Sequence, residues 1–194
     1  MAMQRLIRAV PNLLHLVRIA EHLSINKAAA VRPSLVDFDE GKLKRAAAGL
    51  DPSRVITVAA DVAKTDQVKA YVGRTVATWG KIDVLFSNAG NDGPIVPTIE
   101  HPEEILDWII ATPRALLFLG CKYVTPQMND GGSIVITSSI TGVKGVAGDF
   151  FDQMIPLGRH GKPEEIARAV LFLAFDHSAY TSGSALMLGG GLCA

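Results

Sequence analysis

The stretch LVDFDEGKLKRAAAGLDPSRVITVAAD, residues 35–61, decides the fold, because it reads as strand, helix, strand. Leu35-Val36-Asp37-Phe38 is a short apolar run ending in an acid. Glu40 to Leu50 is rich in Lys, Ala and Leu, which favour helix, and Gly49 supplies a stop. Val55 to Ala59 is β-branched, as strands prefer. Two strands flanking a helix predict a βαβ unit and therefore a parallel sheet.

The same alternation continues down the chain. Thr65 to Trp79 has helical spacing and ends at Gly80, and Ile82 to Phe86 is again strand-like. His101 to Pro126 alternates apolar and polar groups at helical spacing, with Pro102 suited to the first turn. Gly132 to Thr137 reads as a buried strand. Pro163 to Phe175 reads as a helix opened by acids, and Ser184 to Leu188 as a last strand before Gly189-Gly190-Gly191. Strands apolar throughout, each followed by a helix, predict an α/β, Rossmann-like sheet covered on both faces.

Composition narrows the function classes. The chain has 194 residues, 48% of them apolar, with 19 basic and 19 acidic side chains. That is one domain with a sizeable core and no net charge with which to grip nucleic acid or an anionic membrane. No run of eighteen uninterrupted apolar residues occurs, so no spanning helix is expected. Cys121 and Cys193 form no spaced framework and point to a reducing compartment, the cytoplasm. The five histidines lack metal-ligand spacing.

Residues 1–34 differ from the remainder: five basic side chains against Glu21 give them +4, leaving −4 for residues 35–194. Leu13, Leu16, Val17, Ala20 and Leu23 predict an amphipathic helix, and Ser24 can cap a second one reaching Ala30. The string AEHLSINKAAA, residues 20–30, resembles the start of the helix-turn-helix in LysR-type regulators. The helix that would read the major groove does not follow, so nucleic acid is not an expected partner.

Ligands of such sheets bind at the carboxyl ends of the strands. Asp37 ends one strand, where an acid can accept both ribose hydroxyls of an adenosine and repel a 2′-phosphate. Because Phe38 follows it in place of a basic residue, NAD is the expected cofactor. Asp61-Val62 offers a carboxylate and a backbone amide to an adenine edge. Asn88-Ala89-Gly90 supplies a strand tie and small residues that let a ligand approach the backbone. Ser139 places a hydroxyl near the pocket mouth. Singly, each residue is an ordinary cap or turn residue; in this order they act together.

In that order the chain resembles the classical short-chain dehydrogenases/reductases. The matching strings are LVDFDEGKL (35–43), Asp61-Val62, SNAG (87–90), SIVITSSITG (133–142), PLGRHGKPEEIARAVLFLA (156–174) and TSGSALMLGGG (181–191). The resemblance implies NAD(P)-linked hydride transfer on an alcohol or ketone, with Tyr as acid/base, Lys beside it, a substrate-orienting Ser and an Asn in a proton relay. It carries the serine role to Ser139 alone. Four residues after Tyr71, Tyr123 and Tyr180 stand Thr75, Gln127 and Ser184, so no Tyr-x-x-x-Lys exists, and Pro113 lies where the family has its Asn. The opening strand with TGxxxGxG is also expected to be missing, since no glycine precedes Gly41.

The resemblance further implies an internal deletion at the Gly148–Asp149 junction. This would divide the chain into an N-terminal helical segment at 1–34 and an incomplete Rossmann-like domain at 35–194. In the family's strand order the lost opening strand is central, and the lost later strand lies between Ser133–Thr137 and Ser184–Leu188. The expected outcome is a catalytically inactive relative with weak or lost NAD binding. One alternative is a non-catalytic subunit, self-associating or packing on an intact relative with Leu186 and Leu188 buried; a third reading is a fusion that keeps a residual DNA-binding regulator helix in residues 1–34.

Overall fold

The computed structural model describes residues 5–9, 31–90, 96–139 and 151–192. Five strands form one sheet: β1 (Arg5–Ala9), β2 (Arg32–Asp37), β3 (Ile56–Ala59), β4 (Ile82–Ser87) and β5 (Met128–Ile136). Their order is β3-β2-β1-β4-β5, and every neighbouring pair is parallel. Among the described residues five helices accompany them: α1 (Glu40–Ala47), α2 (Thr65–Trp79), α3 (Glu103–Val124), the short α4 (Phe151–Met154) and α5 (Pro163–Ala174). The α/β Rossmann-like expectation holds.

The expected loss of the opening strand does not hold. Arg5–Ala9 occupies the central place, with Leu6 opposite both Pro33 of β2 and Val84 of β4. The physical reason is the ladder itself: with β2 and β4 each offering an inner edge, a third strand satisfies two rows of backbone donors and acceptors at once. Residues 1–34 are therefore not a purely helical segment, since they contain β1 and the first residues of β2. The amphipathic helix and the LysR-like string expected within residues 10–30 lie outside the described residues, as does the Gly148–Asp149 junction.

Alternation divides the sheet residues between two cores, Ile82 falling out of phase with Val84 and Phe86 at a register irregularity in β4. On one face Leu35, Val84, Phe86 and Val135 meet Leu43 and Ala46 of α1 and Ala167, Val170, Leu171 and Ala174 of α5. On the other, Val36, Ile82 and Leu85 meet Val68, Tyr71 and Val72 of α2 and Leu116 and Val124 of α3. Burial pushes the Tyr71 phenol up to about 12, so it stays protonated within that core. α3 runs unbroken through Pro113.

The second correction concerns the C-terminal stretch. Ser184–Leu188 is not a strand: it belongs to no ladder, and Leu186, Met187 and Leu188 are about half exposed. Strand-type sequence becomes a strand only beside a partner edge, and no strand of the described sheet lies beyond β5.

Helix ends follow local chemistry. The Asp39 carboxylate accepts the Lys42 N–H at 2.9 Å and caps α1, and this bond holds its pKa below the ordinary carboxylate value. At α5, Glu165 accepts the Lys162 N–H at 2.7 Å and receives the Arg159 guanidinium on both oxygens, at 2.7 and 2.8 Å. The Arg159 bonds, followed by the Lys162 amide, bring the Glu165 carboxyl down to about 2.

A folded-state pKa below the unfolded one stabilises above the unfolded value of 4.5 and fades as pH falls towards 2. The denaturation midpoint of the wild type should thus exceed that of Glu165→Gln at pH 6. The gap should close between about pH 4.5 and 2, and a gap independent of pH would exclude the pairing.

Candidate functional site

The four strands β2, β1, β4 and β5 end close to one level. Ala9 stands opposite Val36, Arg8 opposite Phe86, Asp37 opposite Ala59, and Ser87 opposite Ile136. Two further backbone bonds extend the ladders past the strand ends, Ala60 N–H to Asp37 C=O and Thr137 N–H to Ser87 C=O, both at 2.9 Å. Every loop carrying a candidate residue therefore leaves the same edge of the sheet. Because β1 has β2 on one side and β4 on the other, the strand order reverses at β1, and the crevice between the ends of β1 and β4 is the switch point.

Asp37 closes β2 beside that crevice and is 7% exposed. Its Oδ1 accepts the Asp39 N–H at 2.9 Å, which fixes the carboxylate. Among the described residues Oδ2 makes no hydrogen bond. Phe38, the next residue, is exposed, with the Lys42 ammonium 5.6 Å from its ring centre. Sequence reasoning passed over Lys42, because its approach to Phe38 depends on the first turn of α1.

Asp61 is more local than expected. Its Oδ1 accepts the Ala63 N–H at 2.9 Å, its Oδ2 lies 3.8 Å from Lys64 Nζ, and its own N–H donates to Gln67 Oε1 at 2.6 Å. These are the contacts of a turn that leads into α2. Val62 buries its side chain among the α2 residues. What Asp61-Val62 presents outward is chiefly backbone.

Asn88 ties the strands as expected: its Oδ1 accepts the Thr137 hydroxyl at 2.7 Å, joining the ends of β4 and β5. Thr137 is the site residue that sequence reasoning missed, although it directly precedes the Ser138-Ser139 pair. Ala89 packs on the core, and a Cβ placed on Gly90 would meet open space. Ser139 follows β5 on the same edge and is exposed. The structure thus brings the ends carrying Asp37, Asn88 and Ser139 to one side of the sheet. The segment leaving β1 reads Val10-Pro11-Asn12, and no glycine occurs before Gly41.

Comparisons with known proteins agree with this geometry. A family model described as enoyl-(acyl carrier protein) reductase matches residues 18–150 and 147–193. The first match begins inside the segment expected to differ from the family and takes in the LysR-like string. An uncharacterized oxidoreductase of Bacillus subtilis is 30% identical over 193 residues, covering 69% of this chain and 71% of its own. A 3-oxoacyl-(acyl-carrier-protein) reductase of Thermotoga maritima is 30% identical over 202 residues, covering 77% and 81%. Among solved structures, a short-chain dehydrogenase/reductase from Brucella melitensis superposes with a TM-score of 0.85 at 21% identity, covering 99% of this chain and 97% of that one. A levodione reductase superposes with a TM-score of 0.84 at 23% identity, covering 98% of each.

Removing either partner of the Asn88–Thr137 bond tests the strand tie. Asn88→Ala and Thr137→Val should each cost about 0.5–1.5 kcal/mol in urea unfolding, and the double variant no more than the larger single one. Fully additive losses would show that the two side chains act independently.

Proposed function

Because the chain belongs to the short-chain dehydrogenase/reductase family, we propose that it is a rearranged member, NAD-type by descent, that keeps the adenosine end of the nucleotide site and has lost hydride transfer. Asp37 carries the reading. It is buried at a strand end beside the switch point, with one oxygen held by Asp39 and the other without a hydrogen bond among the described residues. That arrangement fits the two hydroxyls of a ribose and disfavours a 2′-phosphate by like-charge repulsion. The Val62 backbone and Ala89-Gly90 complete a surface suited to a flat heterocycle.

The residues present do not fit the other parts of NAD. A pyrophosphate needs glycines that let backbone N–H groups close on it, and residues 10–40, which follow β1, contain none. Nor does the chain hold a Tyr-x-x-x-Lys pair, so Ser139 would orient a substrate with no acid/base beside it. Two observations support an internal deletion. The two family matches meet at residues 147–150. The Thermotoga alignment runs to 202 positions, more than this chain's 194 residues, although only 77% of the chain takes part. The relative therefore carries a stretch that this chain lacks.

A second reading is that of a non-catalytic subunit that works by association. The exposed apolar residues Ile134, Ile136, Leu186, Met187 and Leu188 favour it, and it is compatible with the first.

Calorimetry with AMP and NAD separates the parts of this proposal. AMP and NAD should bind with similar, weak affinity, and Asp37→Ala should weaken both by about tenfold or more, the scale of a lost charge-assisted hydrogen bond. No turnover of simple alcohols with NAD should rise above background. NAD binding far tighter than AMP would demand a phosphate cradle elsewhere, and turnover abolished by Ser139→Ala would overturn the inactivity.

A further inference from the structure

Away from the crevice, the amino end of β2 gathers polar groups that the fold leaves without partners. The Arg32 guanidinium lies 5.3 Å from the centre of the ring of Trp79, the last residue of α2. Among the described residues it makes no hydrogen bond and no ion pair. The Trp79 indole N–H is buried and has no acceptor. Two residues beyond Arg32, the Ser34 hydroxyl is also buried without a partner, and Ser34 is 0% exposed. Side chains alternate along a strand, so Arg32 and Ser34 share one face, about 6.6 Å apart. That face is the one α2 covers, since Val36 packs on Val68, Tyr71 and Val72. Buried donors are nearly always paired, so two orphans beside an unpaired guanidinium need a reason.

Their chemistry specifies what would satisfy them. A guanidinium and an indole N–H only donate, and a serine hydroxyl can donate, so the set calls for an acceptor. Charge points the same way. The register sets Arg5 of β1 opposite Arg32. Arg54, two residues before the Ile56 that stands opposite Ser34, donates Nη2 to Val31 C=O at 3.1 Å. Two acids of this end of the sheet are occupied. Asp51 Oδ1 accepts the Ser53 N–H and hydroxyl at 2.9 and 2.8 Å, and Asp83 accepts the Asn129 amide at 2.7 Å. The carboxyl end of α2 brings about half a negative charge, less than the unit charge of Arg32. Stacking on Trp79 fixes the guanidinium plane and leaves its fork of N–H groups for an anion.

We infer that Arg32, the Trp79 indole N–H and the Ser34 hydroxyl, brought together where β2 begins under the end of α2, bind a small oxyanion, a phosphate or carboxylate group. Arg32 is half-buried and held by no hydrogen bond, so its side chain can swing to admit the anion to the two buried donors. Five residues, about 17 Å of strand, separate Arg32 from Asp37 at the other end of β2. The site is therefore distinct from the nucleotide crevice, and the inference does not rest on nucleotide binding.

Nuclear magnetic resonance of the full chain tests it, with inorganic phosphate and acetate as probes. The reporter is the Trp79 indole N–H signal, identified by its loss in Trp79→Phe. Phosphate or acetate should shift it saturably at about millimolar concentration, whereas chloride at equal ionic strength should not. Ser34→Ala should weaken the response about tenfold, the scale of one lost hydrogen bond to a charged group. Arg32→Gln, which keeps donors but not the charge, should abolish it. Asp37→Ala should leave it unchanged. No saturable shift with either anion, an equal response to chloride, or a response undiminished in Ser34→Ala or Arg32→Gln overturns the inference. A response lost in a folded Asp37→Ala chain overturns it as well, by placing the anion in the nucleotide crevice.

Discussion

Two ladders converge on five residues. Arg5–Ala9 pairs with β2 on one side and β4 on the other, and without it the sheet would separate into two pieces with exposed inner edges. Both apolar cores depend on that continuity, because each spans β2 and β4 across β1. The level ends of Asp37, Ser87 and Ile136 depend on it too, since the register of β1 aligns β2 with β4. The candidate site is thus a consequence of the central ladder before it is a property of any side chain.

The same ladder explains what the chain keeps and what it lacks. A strand in the central place restores the sheet, but a ligand needs the turn that follows the strand as well. Backbone hydrogen bonding is nearly indifferent to side-chain identity, so RLIRA can complete the sheet. Cradling a pyrophosphate is not indifferent: it needs glycine where the backbone must approach the anion, and residues 10–40 have none. Structure and chemistry come apart at that boundary. A comparable separation appears at the other end of the sheet, where among the described residues no strand lies beyond β5 and Ser184–Leu188 joins no ladder.

Much of this was legible in the residues. The βαβ pattern from Leu35 to Ala59, the helices at Thr65–Trp79 and Pro163–Ala174, and the Asn88 tie all follow from local chemistry that the tertiary structure leaves unchanged. β1 was not legible, because two arginines within five residues weaken the apolar pattern of a buried strand. Its strand character comes from the two edges that flank it, which are distant in sequence. Ser184–Leu188 misled for the converse reason: its residues favour strand, yet no edge among the described residues pairs with it. Asp61 was overread, because sequence alone does not show that Ala63 and Gln67 occupy its carboxylate and amide.

The central claim is that Arg5–Ala9 is the middle strand of the sheet, and native-state hydrogen exchange tests it most directly. If β1 pairs on both sides, the amides of Leu6 and Ile7 exchange only through global unfolding, with the same protection as Leu35 and Leu85 in the neighbouring strands. Exchange of Leu6 and Ile7 at the rate of a free segment, while Leu35 and Leu85 remain protected, would contradict the account.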